Sequence, residues 1–253
     1  MAYETLVYEK GEGIATITLN RPQRMNALSE QLVKELGQAI DEINEDEEVR
    51  VVIITGQEKF FCAGADIREE VSVESLKKAR VVFDRLENLE KPCIAAVSGI
   101  AYGGGCELSL LCDLRIVSDT AQFAVPEVKI GAIPAAGGTQ RLPGLLGATR
   151  AKELLFSGDP IDANEAYRIG LVNKVVPVSS LMQEAKKIAR LLIDRAPVSL
   201  KMIKHAVNTG MNVDLKSGLD YEAHCAALLL TTEDFQEGIK AFTEKRKPVW
   251  KGK

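Results

Sequence analysis

Val51-Val52-Ile53-Ile54-Thr55 is five β-branched residues in a row, closed by Gly56. β-Branched side chains are stiff at χ1 and fit a pleated strand better than a helix. A run with no polar alternation is a strand covered on both faces. Covering both faces takes layers of helix or sheet on each side, so this segment commits the chain to an α/β arrangement.

The flanking sequence agrees. Leu6–Glu9 and Ile14–Leu19 are paired strands around Gly11-Glu12-Gly13. Pro22 cannot continue a central ladder, so Asn20-Arg21-Pro22 breaks the pattern. Ser29 is a helix N-cap, followed by Leu32, Val33, Leu36, Ile40 and Ile43 at helical spacing. Leu76, Ala79, Phe83 and Leu86 mark a second amphipathic helix. Cys93–Val97 and Leu114–Ser118 are further strands, with a helix over Cys106–Cys112 between them. From Gly147 onward the chain turns helical: Ala151–Phe156, Asn164–Ile169, Leu181–Ile193, Ser199–Asn208, Tyr221–Leu230 and Glu233–Phe242. Lys174–Val178 is the one strand candidate there. Asp162-Ala163-Asn164-Glu165 has the form of a capping box. The pattern predicts an α/β core with an appended C-terminal helical region.

A chain of 253 residues buries about 70% of its extended surface, so no disulfide or metal staple is needed. The net charge of -4 argues against a protein built to coat nucleic acid or anionic membrane. No apolar run approaches the ~20 residues that span a bilayer. No basic start followed by an apolar stretch is visible, so no secretory signal is expected. Five cysteines, Cys62, Cys93, Cys106, Cys112 and Cys225, form no CxxC pair and suit a reducing, cytosolic setting. An organelle matrix is compatible if a leader has been removed.

Two glycine-containing turns follow strands. They are Phe61-Cys62-Ala63-Gly64-Ala65-Asp66 and Gly103-Gly104-Gly105-Cys106-Glu107. Each lets a ligand approach the backbone. The second opens a helix, so its N–H groups sit at the positive end of a helix dipole. Two such groups converging on one oxygen make an oxyanion hole; the competing reading is tight turns packed for their own sake. No phosphate-binding glycine motif is complete. His205 and His224 lie in the helical half with no metal-ligand context, so no metal is expected. Their scarcity also weakens Ser- or Cys-based hydrolysis, and nothing offers Cys62 a base. Glu107 sits among Cys106, Leu108, Leu110 and Leu111, and Glu127 follows Phe123-Ala124-Val125-Pro126. A carboxylate among apolar neighbours has its charged form disfavoured, which raises its pKa toward working pH. Two such groups at one cavity can handle a water and a substrate proton. Alternatively, Glu107 stabilises its helix start and Glu127 is a surface turn residue.

Taken in order, several segments resemble the enoyl-CoA hydratase/isomerase (crotonase) family. They are Asn20-Arg21-Pro22 with Met25-Asn26-Ala27-Leu28, Phe61 through Ile67, Gly99 through Leu108, and Cys112-Asp113. Gln122-Phe123, Pro126-Glu127, Ile133 through Leu142, and Ala241 through Lys247 follow in register. Ala135 stands where many hydratases of the family carry Gly, and it keeps the backbone N–H.

The resemblance implies a ClpP-like spiral core of repeated ββα units. It places the core and active site in residues 1–195. Residues 196–253 would form a helical region for trimer contact and for covering the bound coenzyme. It implies an acyl-CoA substrate, with coenzyme A arriving as part of the thioester and no permanently bound cofactor. The N–H groups of Ala65 and Gly104 would hold the thioester oxygen. Glu107 and Glu127 would hold the water and exchange the α-proton, both parts of the water ending on the product. Arg24, Ala27, Ala63, Ala65, Asp66, Ile67, Gly104, Phe242 and Lys245 would contact the coenzyme. Residues 68–82 and the C-terminal helices would line the acyl pocket. The implied activity is enoyl-CoA hydration in fatty-acid or branched-chain amino-acid breakdown, in a homotrimer or a dimer of trimers. A methylglutaconyl-CoA hydratase that binds AU-rich RNA, suggested by residues 210–215 and the Lys245–Lys253 tail, is the alternative, as is an isomerase. RNA binding is the weaker reading, given the net charge.

Overall fold

The computed structural model describes residues 3–57, 59–70 and 72–253. Met1 and Ala2, where the reading of a missing leader begins, Glu58, and Val71, inside the 68–82 stretch, lie outside the described residues. The chain opens with β1 (Leu6–Gly11) and β2 (Ile14–Leu19), paired antiparallel. Ser29 Oγ accepts from Leu32 N at 3.1 Å and starts α1 (Glu30–Glu45). β3 (Val51–Thr55) then enters a large sheet and β4 (Phe60–Cys62) a small one, before α2 (Val73–Glu87) returns. β5 (Cys93–Val97), β6 (Ile100–Tyr102) and α3 (Gly104–Leu110) repeat that unit. β7 (Leu114–Ser118) and β8 (Gln122–Ala124) repeat its strands, and α4 (Gly138–Leu146) and α5 (Ala148–Ser157) follow. β9 (Ile161–Asp162), α6 (Ala163–Arg168), β10 (Lys174–Val176) and α7 (Leu181–Ile193) come next. The chain ends in α8 (Pro197–Gly210), α9 (Leu215–Leu229) and α10 (Glu233–Thr243).

The large sheet runs β1-β2-β3-β5-β7-β10, parallel from β2 onward, and the small one β4-β6-β8-β9. β1 and β2 both join the large sheet, and from β3 onward each turn of the spiral gives one strand to each sheet, so the core is the implied coil of ββα units. β3 is buried along its whole length. Val52 and Ile54 face the core that holds Leu36, Ile40 and Phe83 of α1 and α2. Val51 and Ile53 face Leu181, Ala185 and Ala189 of α7. That two-sided cover is the reason the run contains no polar residue.

Other boundaries depart from the periodicity. β4, β6 and β8 have three residues each, too short to show a period of two. α3 begins at Gly104, two residues before the apolar run, because Gly103 at φ 50 ends the strand abruptly. α4 contains Pro143 and begins among glycines, which hide it from a propensity reading. α9 begins six residues before Tyr221, where Asp214 accepts from Ser217 N at 3.1 Å. Only half of the expected capping box forms at Asp162, which accepts from Glu165 N at 2.8 Å while Glu165 pairs with Arg168. The reciprocal box forms instead at Ser72 and Ser75.

Arg115, 6% exposed, ties α3 to the rest of the core. Its Nη1 donates to Ser109 O (3.1 Å) and Cys112 O (2.8 Å) beyond the helix end, and its Nε donates to Leu171 O (2.7 Å). Arg115→Leu removes a buried charge but leaves these carbonyls without their donor. The expected loss is at least ~3 kcal/mol, a fall in Tm of roughly 6–12 °C at this chain length. Calorimetry checks it; an unchanged Tm would mean water or another donor serves those carbonyls.

Candidate active site

Parallel pairing sets β4 beside β6 (Phe60 opposite Ile100, Cys62 opposite Ala101) and β6 beside β8 (Tyr102 opposite Ala124). All three strands therefore leave the small sheet at one edge. Their exits are Ala63-Gly64-Ala65, Gly103-Gly104 and Val125-Pro126-Glu127. Ligand sites in open α/β sheets form outside the carboxyl ends of strands for this reason.

Leu28 fixes the direction of the first exit. Its N–H donates to Gly64 O (2.8 Å) and its carbonyl accepts from Asp66 N (3.0 Å). In such a parallel bridge the residue between, Ala65, turns its own N–H away from Leu28. Gly104 lies on that far side. A Cβ built on Gly104 would lie 3.6 Å from Ala65 N, and one on Gly64 would lie 3.3 Å from Gly104 N. Gly104 is the first residue of α3, so its N–H has no partner within the helix. Two backbone donors thus stand side by side, one at a helix N-terminus.

The glutamates flank them. Gly103 N–H donates to Ala124 O at 2.9 Å, and a Cβ on Gly103 would lie 2.8 Å from Glu127 Oε1. Glu127 therefore lies directly over the glycine turn. Its Oε2 is buried with no hydrogen-bond partner among the described residues. Glu107, in the first turn of α3, is only 2% exposed. Its Oε1 accepts from Ala136 N (2.9 Å) and Gly138 N (2.7 Å). Burial pushes the Glu107 carboxyl above the ordinary range, and the Glu127 charge pushes it further. The two backbone donors and the Arg141 guanidinium pull it back. Burial also raises Glu127. A pair of acids with unequal donor support, beside an oxyanion-type pair of N–H groups, can divide base and acid roles.

The expected coenzyme contacts are arranged around this edge, with two exceptions. Arg24 is exposed in the short turn after Pro22. Ala27 is buried, and its carbonyl accepts from Arg21 Nη1. The N–H groups of Ala63 and Asp66 already donate to Met25 O and Leu28 O, and the Asp66 carbonyl accepts from Glu69 N at 3.0 Å. Ile67 is 72% exposed beside them. Phe242 and Lys245 are not brought to the glutamates. Phe242, 88% exposed, lines a cleft with Ala196, Phe235, Ile239 and Trp250, none of them at the glutamate pair. His205 and His224 stay on α8 and α9. Cys62 is fully buried and its thiol is pushed up to about 12, which removes it as a nucleophile.

Three side chains carry structural work at the site that spacing did not reveal. Arg21 pairs with Asp66 (2.9 Å), joining the turn after β2 to the end of the first exit. Asn26 is buried at φ 56; its Oδ1 accepts from Arg21 N and its Nδ2 donates to Phe60 O and Phe61 O. Arg141 braces the turn that holds Glu107. A polar residue stapling a left-handed turn to a strand is legible only once both are placed.

The enoyl-CoA hydratase/isomerase family profile matches residues 9–253. A short-chain-enoyl-CoA hydratase of Clostridium acetobutylicum is 46% identical over 98% of this chain and 97% of its own length. A crotonyl-CoA hydratase of Syntrophomonas wolfei is 44% identical over 98% of each. The crystal structure of an enoyl-CoA hydratase from Bacillus anthracis superposes with a TM-score of 0.96 and 41% identity, covering 99% of this chain and all of that one.

The raised glutamates make stability depend on pH. A carboxyl whose folded pKa exceeds its unfolded value favours the fold at low pH and loses that contribution as pH rises through the folded pKa. Glu127→Gln removes the buried ionisation. It is expected to melt above wild type at pH 8, with the gap closing as pH falls below about 4. A gap that does not close on acidification, followed by scanning calorimetry, would rule out charge burial as its cause.

Proposed function

The chain belongs to the enoyl-CoA hydratase/isomerase family, and from this premise we propose how it works as an enoyl-CoA hydratase, adding water reversibly across the C2=C3 double bond of a 2-enoyl-CoA thioester. The observation that carries the mechanism is the adjacency of Ala65 N–H and Gly104 N–H beside a buried and a half-buried carboxyl. The thioester oxygen accepts from both N–H groups. The Glu107 carboxylate takes a proton from the bound water as its oxygen attacks C3. The displaced π electrons move through C2 and C1 onto the thioester oxygen, giving an enolate that the two donors stabilise. Glu127, holding its proton, delivers it to C2 as the carbonyl re-forms. The pair carries one proton before and after, and a proton shift from Glu107 to Glu127 through the next water resets it. The donor pattern sets this division, because the N–H groups of Ala136 and Gly138 favour an ionised Glu107. Glu127 Oε2 has no such donor among the described residues and suits a proton.

No resident cofactor enters the balance; coenzyme A comes as part of the substrate. Arg24 faces its phosphates, and the backbone of Ala63, Asp66 and Ile67 lies around the adenine. Phe242 and Lys245 reach a nucleotide from a neighbouring subunit, which accounts for their distance from the glutamates in one chain. Residues 196–253 then serve as the contact region of a homotrimer or a dimer of trimers. The chain exposes 13501 Å², against roughly 11,000 Å² for a monomer of this mass, and exposed Leu215, Met211 and Phe242 belong to that excess. Among the described residues no helix is long and apolar enough to cross a membrane. We place the enzyme in the cytoplasm, or in an organelle matrix if a leader has been removed. An RNA-binding role is not favoured, and retention of both carboxyls favours hydration over isomerisation.

Glu107→Gln and Glu127→Gln are each expected to lower kcat for hydration of a short enoyl-CoA by at least ~10²-fold, with KM nearly unchanged. Near-wild-type turnover in either would remove that residue from the mechanism. A panel of enoyl-CoA chain lengths plus 3-methylglutaconyl-CoA defines the preferred acyl group.

Gly104→Pro tests the oxyanion hole. Proline lacks the N–H yet suits the first turn of a helix. A Cβ here sits 3.0 Å from Leu28 Cδ1, so Leu28 must yield slightly; Gly104→Ala controls for that and keeps the donor. Gly104→Pro is expected to lose roughly 10²–10³ in kcat, and Gly104→Ala far less. A folded proline variant above about a third of wild-type turnover would rule out this N–H as an oxyanion donor.

A further inference from the structure

The turn that grips Glu107 has no regular structure of its own. Residues 133–137 lead into α4, and Gly137 sits at φ 108. One side chain braces it from within. Arg141 Nη1 donates to Ala136 O at 2.9 Å, while Ala136 N, on the other side of the same Cα, donates to Glu107 Oε1. The guanidinium fills the space beside Gly137: a Cβ there would fall 1.6 Å from Arg141 Nη1. Arg141 is itself locked by a fork to Glu87, the last residue of α2, with Nε to Oε1 at 2.7 Å and Nη2 to Oε2. Both side chains are mostly covered, at 16% and 34% exposure. A two-point arginine–carboxylate fork fixes orientation as well as distance.

We propose that Glu87 and Arg141 are a positioning pair for the hydration reaction: α2 holds the guanidinium, and the guanidinium holds the Ala136 peptide so that Glu107 Oε1 is gripped from one side and Oε2 is left to the water. The inference rests on the reading of Glu107 as the base. Arg141 touches neither substrate nor water in this scheme and acts through the turn and through its charge. The groups that face Glu107 are few. Glu127 from the turn after β8 raises its pKa, Arg141 from α4 lowers it, and the neighbouring Cys106 thiol on α3 is pushed up to about 12 and stays neutral. Removing the Arg141 charge takes away the cation that favours the ionised form, so Glu107 ionises at higher pH.

Arg141→Gln is expected to lower kcat at pH 7 by roughly 10–100-fold with little change in KM. The acidic limb of its kcat–pH profile should move upward, so that part of the loss is recovered at pH 9. Glu87→Gln keeps the cation but frees it. It should lose less kcat and leave the limb nearly in place, and Arg141→Lys should fall between. Because Arg141 acts through Glu107, Arg141→Gln combined with Glu107→Gln should be no slower than Glu107→Gln alone. The proposal is overturned by wild-type kcat and pH limb in folded Arg141→Gln, by additive losses in the double variant, or by a loss uniform across pH that follows the melting temperature. If Arg141→Gln does not fold, Arg141→Lys and Glu87→Gln decide on the same readouts. Active Glu107→Gln would sink the base assignment itself. Inactive Glu107→Gln with unaffected Arg141 variants would sink only the positioning role.

Discussion

The hydrogen bonds that pair β4 with β6 and β6 with β8 bring three chain exits to one edge of the small sheet. Parallel neighbours cannot be joined by a tight turn, so each crossover must travel away and return. Here it travels through a helix and a strand of the large sheet. The ββα coil is thus the means by which Ala65, Gly104 and Glu127, far apart in sequence, meet with their backbones in register. Strands of three residues could not hold that register alone. The large sheet, buried on both faces by α1 and α2 on one side and α7 on the other, supplies the stability on which they rest.

Close approach of backbone to backbone is the second requirement. A Cβ on Gly105 would lie 2.1 Å from Cys62 O, so the first turn of α3 sits directly on the exit of β4. Any side chain there would push the helix start away from Ala65 and separate the two N–H groups. Gly103 adds the reversal of direction, at φ 50 and ψ -124, that turns β6 into α3 within one residue. These glycines are packed tightly, as plain structural turns would be, and the same packing sets Gly104 beside the Ala65 N–H, so the two readings of the turns are compatible.

Legibility in the sequence followed the strength of the local signal. Val51–Thr55, Cys93–Val97, Leu114–Ser118 and Leu181–Ile193 have the boundaries that their apolar runs predict. The small sheet has no such run, and its strands are not legible in the sequence; the resemblance implies only that ββα units repeat. Glu107 and Glu127 stood out as acids in apolar settings, and both are held above the ordinary carboxylate range. Arg21, Asn26, Arg115 and Arg141 did not stand out, because each acts by donating to backbone carbonyls or to carboxylates distant in sequence. A buried arginine is spelled like a surface one until its acceptors are placed around it.

Two helix starts carry the electrostatics of the site. The N-terminus of α3 presents the Gly104 N–H, the donor proposed for the substrate oxygen, and the N-terminus of α4 gives the Gly138 N–H to Glu107. Each points the positive end of a helix dipole at a place where negative charge rests or develops. Backbone donors of this kind are fixed by the fold and need no reorganisation when the enolate forms. They also free side-chain identity from donor chemistry. At Gly104 the constraint on sequence is steric, set by Leu28 Cδ1 at 3.0 Å from an added Cβ, since almost any residue carries the N–H. At Glu107 and Glu127 the constraint is chemical. Glu107 is buried and Glu127 half-buried, and Glu107 Oε1 has two backbone donors from the turn before α4 where Glu127 Oε2 has none among the described residues; that asymmetry suits two identical side chains to different roles.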